Sequence, residues 1–203
     1  MQTITHWTPR YLANRISLAI YEKQHPDHPW LTQSAISILS NYLKKSDIGL
    51  EWGSGRSTAW FAARIKYLVS VEDNYEWYQI VRKKLDHLNL NNTHYLLATD
   101  RESYIGAADN FQDDSLDFVL VDGRHHRNTC AVKAVSKVKT GGVIVLDNAN
   151  RFLPSNSHSP NSRTYETGPA SDEWQHFLDL VKDWRRIWTS NGVSDTAFFI
   201  KVS

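Results

Sequence analysis

The residues with the strongest chemical pattern are an acid and two glycines, Glu51, Gly53 and Gly55, at the end of a short apolar run. Glycine lets the backbone turn sharply and approach a ligand without interference from a Cβ atom. A segment with helical character follows, and the start of a helix offers unpaired N–H groups. The stretch predicts a strand, a tight turn and a helix that form a nucleotide-type pocket. A helix cap that happens to contain two glycines is the plainer interpretation.

A second acid, Glu72, lies nineteen positions after Gly53 and ends another apolar run at 67–71. At this separation a strand–helix–strand unit brings an acid to the two hydroxyls of a ribose. The alternative is an acid that caps the next helix, a role that Asp73 or Asn74 could fill equally well. The pairing with the glycine loop favours ribose binding.

Apolar runs and segments of helical period alternate along the chain. Strands are predicted at 48–50, 67–71, 94–98, 116–121 and 143–146. A last helix and two strands joined by Asn191 and Gly192 follow them, and two helices precede them. This order predicts an α/β fold with a doubly wound, mostly parallel seven-stranded sheet, N-terminal helices and an antiparallel last strand. Ligands of such sheets bind at the carboxyl ends of the strands.

Length and composition predict one domain that spans 1–203. The chain has 203 residues, of which 41% are hydrophobic, and a formal net charge of +1. A near-neutral charge argues against a nucleic-acid or membrane partner. The single Cys130 excludes an internal disulfide, and no apolar segment has the length of a signal or a membrane span. We therefore expect a cytoplasmic protein with neither nucleic acid nor membrane as a partner.

The spacing of Glu51, Gly53 and Gly55 resembles the first motif of class I S-adenosylmethionine-dependent methyltransferases. A dinucleotide fingerprint would require a glycine at position 58, where this chain has Thr58. Together with the stretch 121–125 (Val-Asp-Gly-Arg-His), the motif is similar to that of a small bacterial-type branch of this family. The resemblance implies S-adenosylmethionine as cofactor. It implies cofactor contacts for Glu51, Gly53, Ser54, Gly55, Ser57, Glu72, Asp100 and Asp122.

The roles within this set also follow from the resemblance. The acid at the end of the first strand lies near the methionine amino group, and the glycine loop surrounds the sulfonium and the ribose. Ser57 stands where a third glycine is usual. Asp100 follows the third predicted strand and would border the adenine, although an aspartate in a turn explains it nearly as well. Segment 1–45 would form a helical cover, and segment 149–171 a mobile loop or a lid over the acceptor.

Three further residues resemble the metal site of catechol- and caffeoyl-CoA-type O-methyltransferases: Asp122, Asp147 and Asn148. Hard oxygen ligands of this kind suit Mg²⁺, which would lower the pKa of an acceptor hydroxyl. Asp122 could instead organise the methionine end of the cofactor, and the pair at 147–148 could cap a loop. The base of that family is usually a lysine three positions after the first aspartate, where this chain has His125.

Histidine gains and loses a proton near neutral pH, so His125 is the candidate base and, with Asp122, a candidate catalytic residue. His126 competes with it for this role. Trp30, His126 and Arg124 are the candidate acceptor contacts. Arg124 and Arg127 could recognise an anionic acceptor by bidentate pairing, or could be surface charges. The sequence predicts methyl transfer to a small-molecule acceptor, most simply a hydroxyl oxygen. The alternatives are an NAD(P)-dependent oxidoreductase and a non-catalytic cofactor-binding or regulatory protein. The oligomeric state, a homodimer included, stays open.

Overall fold

A computed structural model of the chain describes residues 8–202. The helices are α1 (Pro9–Gln24), α2 (Gln33–Tyr42), α3 (Arg56–Ala62), α4 (Tyr75–His87), α5 (Arg101–Gly106), α6 (Arg127–Lys137) and α7 (Asp172–Leu180). The strands are β1 (Ile48–Trp52), β2 (Tyr67–Glu72), β3 (Thr93–Leu97), β4 (Leu116–Val121), β5 (Val138–Asp147), β6 (Arg185–Ser190) and β7 (Asp195–Ile200). Within the described part, no helix is both long and apolar enough to span a membrane.

The seven strands form one sheet in the order β3-β2-β1-β4-β5-β7-β6. The first five are parallel, and β7 runs antiparallel between β5 and β6. This arrangement confirms the predicted fold, including the antiparallel last strand. Strand order reverses between β1 and β4, and open parallel sheets bind ligands in the crevice at such a point.

Both faces of the sheet are covered, which is why its central strands are mostly apolar. Along β4, Phe118 and Leu120 pack with α2 and α3, whereas Val119 and Val121 pack with α6 and α7. The alternation follows from the period of two residues in a strand. Two buried layers therefore fix β1 and β4, and with them the loops that leave their carboxyl ends.

Two local elements differ from the predictions. Strand β5 begins at Val138, directly after α6, and not at the predicted position 143, so Gly141 and Gly142 lie within the strand. Helix α1, one of the two predicted N-terminal helices, is capped by Thr8, but none of its residues is buried. Its apolar residues Leu12 and Ile16 are exposed, because no described element packs over them.

Segment 149–171, expected to be a mobile loop or a lid, is joined by hydrogen bonds across its own span. The Arg163 backbone N–H donates to the Asn150 carbonyl at 2.8 Å, and Ser155 N–H donates to the Arg163 carbonyl at 3.0 Å. Ser159 Oγ donates to the buried Asp195 carboxylate at 2.6 Å, which fastens the segment to the start of β7. Its Ser and Asn residues thus satisfy backbone and loop partners, which their sequence alone could not reveal.

Candidate functional site

The predicted site residues come from four strands that end at one edge of the sheet. Glu51 lies at the end of β1, Glu72 ends β2, Asp122 follows β4 and Asp147 ends β5. These strands are parallel neighbours, so their carboxyl ends meet at the switch point. The tertiary structure therefore assembles the acids that the sequence spreads over nearly a hundred positions.

Gly53 is the closest backbone approach at this edge. Its φ is +89°, a value that favours glycine, and an added Cβ would lie 2.5 Å from Gly123 N and 2.7 Å from Asp122 C. Gly123 is equally constrained, since its Cβ would overlap the hydroxyl of Tyr104. The loops after β1 and β4 thus pack backbone to backbone, which gives the predicted Gly53 a steric reason.

Glu51 is fully buried beneath the glycine turn. Its Oε2 accepts hydrogen bonds from Thr58 Oγ1 at 2.7 Å and Ser70 Oγ at 2.6 Å. Its Oε1 has no hydrogen-bond partner among residues 8–202. Burial raises the pKa of Glu51 to about 7, against the opposing effect of the surrounding hydroxyl groups. A buried carboxylate oxygen without a protein donor can accept a hydrogen bond from a ligand, an ion or a water molecule.

Glu72 and Ser54 form the second half of the pocket. The Glu72 Oε2 accepts from the backbone N–H of Ser54 at 3.0 Å and from its hydroxyl at 2.7 Å. The Oε1 accepts from the backbone N–H of Asp73 and Asn74. Asn74 itself caps α4 through its side chain, so Glu72 is not the helix cap. Burial raises the pKa of Glu72, and these donors oppose the rise.

Ser57 and Asp100, also predicted cofactor contacts, have different surroundings. Ser57 is buried in the first turn of α3. Asp100 is exposed and caps α5, accepting from the Ser103 backbone N–H at 2.9 Å. The cap satisfies an otherwise unpaired helix N–H, which accounts for Asp100 without a ligand. Its contact with an adenine stays a prediction.

The Asp122 carboxylate is paired with Arg127 through one of its two oxygens. Arg127 Nη2 donates to its Oδ1 at 2.7 Å and to its backbone carbonyl at 2.7 Å. Arg127 Nη1 donates to the Asp147 carbonyl at 2.6 Å. The Asp147 carboxylate is buried and accepts from Thr196 Oγ1 at 3.0 Å. Burial raises the pKa of Asp147, the nearby Asp122 raises it further, and Arg127 opposes both.

These contacts do not fit the divalent metal that the resemblance implies. A guanidinium group already neutralises Asp122, and Mg²⁺ needs ionised or carbonyl oxygens that are free to bind it. Asn148 adopts a left-handed backbone conformation with φ of 51° and precedes a short 3₁₀ helix. Among the described residues, no three His, Cys, Asp or Glu side chains are grouped to hold a metal. We therefore derive no chemistry from Mg²⁺.

His125 is paired across the site with an acid that the sequence suggested only as a helix cap. Its Nδ1 lies 2.7 Å from Asp73 Oδ2, which links the loop after β4 to the loop after β2. An ionised carboxylate only accepts hydrogen bonds, so in the neutral imidazole Nδ1 would donate to Asp73 and Nε2 would be the acceptor. His126 adopts a left-handed conformation with φ of 57° at the start of α6, where its backbone carbonyl accepts from Cys130. The arrangement favours His125 over His126 as the base.

The candidate acceptor contacts lie at the surface. Trp30 is 51% exposed and stacks on Trp77 with ring centroids 6.2 Å apart. Arg56, which directly follows the glycine loop, has its guanidinium carbon 5.0 Å from the Trp30 ring. Trp77 Nε1 donates to the Ser54 carbonyl at 2.8 Å, so this aromatic pair adjoins the glycine loop. Arg124 is exposed. The roles of these residues as acceptor contacts stay predictions.

A cavity of about 730 Å³ lies at the same sheet edge, beside the turn between β6 and β7. Helix α1, segment 149–171 and this turn form its walls. Its described lining residues are Thr8, Arg10, Tyr11, Asn14, Asn156, Ser157, His158, Pro160, Ser190, Asn191 and Gly192. None of them belongs to the predicted site, so the cavity and the acidic strand ends are separate features of one edge.

Sequence reasoning missed the two partners that define the polar contacts of this edge, Arg127 and Asp73. Arg127 was interpreted as an acceptor contact or a surface charge, and Asp73 as a helix cap. No spacing in the sequence predicts either contact. Asp73 lies 52 positions from His125, and the carbonyl groups that accept from Arg127 follow two different strands. Only the proximity of Asp73 to a strand end was available as a signal.

Comparisons with known proteins identify the fold. No protein-family model matches the chain, and no curated protein is similar to it in sequence. A methyltransferase from Geobacter sulfurreducens shares the fold with a TM-score of 0.60 and 12% identity, over 94% of this chain and 89% of that one. An rRNA methylase from Streptococcus thermophilus has a TM-score of 0.55 and 13% identity, over 82% of this chain and 93% of that one. TYW2 of M. jannaschii, in complex with AdoMet, has a TM-score of 0.52 and 15% identity, over 86% of this chain and 79% of that one.

The chain therefore has the fold of class I S-adenosylmethionine-dependent methyltransferases, as its motif indicated. The expectation that nucleic acid is excluded as a partner is wrong, because an rRNA methylase has the same fold over most of this chain. A formal net charge of +1 describes the whole chain and not the surface around a site, so it cannot exclude a nucleic-acid acceptor.

Proposed function

We propose that this protein is an S-adenosylmethionine-dependent methyltransferase. The observation that carries the proposal is the unpaired, buried Oε1 of Glu51 beneath a glycine turn that packs backbone to backbone against the loop after β4. An oxygen in this position suits an ammonium group, and the glycine turn lets a ligand approach the backbone closely. The methyltransferase order of the sheet supports the same interpretation.

The residues at the strand ends fit the parts of this cofactor. Glu51 would bind the methionine ammonium through Oε1. Glu72 would accept from a ribose hydroxyl in exchange for one of its present backbone donors, Asp73 or Asn74. The loop Gly53–Gly55 would enclose the centre of the molecule, with Ser54 holding Glu72 in place. When bound, S-adenosylmethionine supplies a methyl group that its positively charged sulfur has already activated.

His125 would serve as the base for a hydroxyl acceptor. Asp73 holds the Nδ1 proton, so Nε2 can take the proton of the acceptor oxygen while that oxygen gains the methyl carbon. The electrons of the broken S–C bond would remain on sulfur, so S-adenosylhomocysteine would leave with an uncharged thioether sulfur. Proximity and deprotonation are the contributions of the protein. Metal assistance is not part of the proposal, because Arg127 pairs with Asp122.

The acceptor that the sequence favours is a small molecule with a free hydroxyl group. The contact between His125 and Asp73 would make His125 a general base, which suits an acceptor atom that must lose a proton. An acceptor nitrogen is the second candidate after oxygen. The fold is shared with an rRNA methylase, so the assay must include RNA besides small hydroxyl compounds.

The first experiment is calorimetric titration with S-adenosylhomocysteine, with NADH as the competing ligand. We expect S-adenosylhomocysteine to bind and NADH to give no heat; the opposite result would refute the proposal. Transfer of a labelled methyl group is then measured with His125→Ala and with His126→Ala as the matched control. His125→Ala should lower turnover by about 10²-fold or more with little change in cofactor affinity. Equal loss in both variants would remove His125 from the base role.

A further inference from the structure

Arg127 reaches four oxygen atoms at the ends of two neighbouring strands. Its Nη2 donates to Asp122 Oδ1 and to the Asp122 carbonyl, its Nη1 to the Asp147 carbonyl, and its Nε to the Gly123 carbonyl. A guanidinium group has five N–H donors in a planar fork, so nearly all of its capacity is directed to this one place. The side chain is only 12% exposed.

The local backbone explains why this arginine turns inward. His126 takes the left-handed conformation that begins α6, and Arg127 is the first residue of that helix. Its guanidinium carbon lies 5.6 Å from the centre of the Phe152 ring, which borders the charge with an aromatic face. An exposed guanidinium group would be free to contact an acceptor, whereas that of Arg127 makes its hydrogen bonds within the protein.

We propose that the Arg127 guanidinium is a built-in cation that replaces the divalent metal at the ends of β4 and β5. The inference rests on the proposed function and narrows it: transfer needs no metal, and the acceptor need not chelate one. Arg127 already occupies Oδ1 and the backbone carbonyl of Asp122, and its positive charge lies beside the carboxylate that a metal ion would need. The acceptor hydroxyl is then deprotonated by a side-chain base. Catechol-like acceptors, which would chelate a metal ion, are then not favoured over acceptors with a single hydroxyl group.

The position of the charge has a structural consequence. Asp122 and Gly123 form the loop that packs against Gly53, so Arg127 fixes the backbone on which the glycine turn rests. A lysine could neutralise Asp122 but could not reach the Asp147 and Gly123 carbonyls at the same time, because it has one nitrogen. Arg127 is therefore a positioning residue for the cofactor pocket as well as a replacement for the metal.

The deciding experiment measures Mn²⁺ binding by the loss of the paramagnetic signal of the free ion. We expect no stoichiometric Mn²⁺ binding to the natural protein, and equal affinity for S-adenosylhomocysteine in Mg²⁺ and in EDTA. Stoichiometric Mn²⁺ binding that Asp122→Asn abolishes would overturn the proposal. A tenfold gain in S-adenosylhomocysteine affinity with Mg²⁺ would also overturn it.

A double-mutant cycle tests the charge pair itself by thermal unfolding. Arg127→Met alone should lower Tm by about 10 °C, because it leaves a partly buried carboxylate unpaired. The decrease in Tm of the double variant D122N/R127M should be smaller than the sum of the decreases in the two single variants. The Tm of Arg127→Lys should lie between those of the natural protein and Arg127→Met. Additive losses would show that the pair does not hold the site.

The two proposals fail in different ways. If S-adenosylhomocysteine does not bind under any condition, the proposed function fails, whereas Mn²⁺ binding and the unfolding cycle still decide the role of Arg127. If S-adenosylhomocysteine binds and Mn²⁺ binds at Asp122 as well, the methyltransferase proposal stands and the replacement of the metal is refuted.

Discussion

Gly53 offers the sharpest test of how the glycine turn is built. The substitution Gly53→Ala adds one Cβ atom at a backbone φ of +89°. That atom would lie 2.5 Å from Gly123 N, 2.6 Å from Gly123 Cα and 2.7 Å from Asp122 C. All three neighbours are backbone atoms, so no side-chain rotation can relieve the overlap. The two loops must separate or the turn must change shape.

The expected cost has two parts of similar size. A non-glycine residue in the left-handed region costs about 1–2 kcal/mol. Overpacking of a close contact costs about 1–3 kcal/mol more. For a domain of this length each kcal/mol lowers Tm by about 2–4 °C. We therefore expect Gly53→Ala to lower Tm by roughly 10 °C.

Gly55 provides the matched control within the same loop. Its φ of 170° is ordinary extended backbone, and its nearest neighbour to an added Cβ is Trp77 at 3.9 Å. Gly55→Ala should cost at most about 1 kcal/mol, since it changes only a helix cap. The added methyl group would nevertheless project into the loop proposed to enclose the cofactor. We expect a folded protein with weakened S-adenosylhomocysteine binding.

Thermal unfolding followed by circular dichroism, together with calorimetry, measures both effects. A Tm of Gly53→Ala close to that of the natural protein would refute the backbone packing of the two loops. Unchanged S-adenosylhomocysteine affinity in Gly55→Ala would remove this part of the loop from the cofactor site. The two variants therefore separate the structural and the ligand-binding requirement for glycine.

Three further predictions concern buried and paired acids. Burial raises the pKa of Glu51 to about 7 from its ordinary 4.5. Between these two pH values the folded state binds more protons than the unfolded state, so the free energy of unfolding falls as the pH rises through this range. S-adenosylhomocysteine carries an ammonium group, so calorimetry should show its affinity rising over the same range, and Glu51→Gln should remove the rise. Asp73→Asn should lower methyl-transfer turnover by about 10²-fold with unchanged S-adenosylhomocysteine affinity; a loss of affinity alone would contradict a positioning role. Asp195→Ala unpairs Ser159 and Trp188 and should cost about 1–3 kcal/mol in urea unfolding, with faster proteolysis within 149–171, whereas Ser159→Ala should cost about 1 kcal/mol.

The strands could be predicted because their pattern records burial. The run 116–121 is almost entirely apolar, and β4 is indeed covered on both faces. The pair joined by Asn191 and Gly192 was recognised from its turn residues, and β6 and β7 pair antiparallel as expected. The start of β5 was predicted too late, because two glycines usually end an element and here they lie within one.

The candidate site was predicted in part for the same reason. Strand-end acids and loop glycines are local features, so Glu51, Gly53, Glu72, Asp122 and Asp147 were found at one edge of the sheet. Which acid is paired, and with which cation, depends on contacts between loops that are distant in sequence. A metal site and an arginine-filled site share the same acids, and the sequence of those acids cannot separate them.

The sequence by itself determined the order of the elements, the glycine turn and the acids that meet at the switch point, because hydrophobic period and turn chemistry act over a few neighbouring residues. Only the tertiary structure decided that Arg127 neutralises Asp122, that Asp73 orients His125 and that Glu51 keeps one oxygen unpaired. These outcomes depend on the distances between side chains carried by different strands. Such distances are fixed by the packing of the sheet and its helices, which no local pattern encodes.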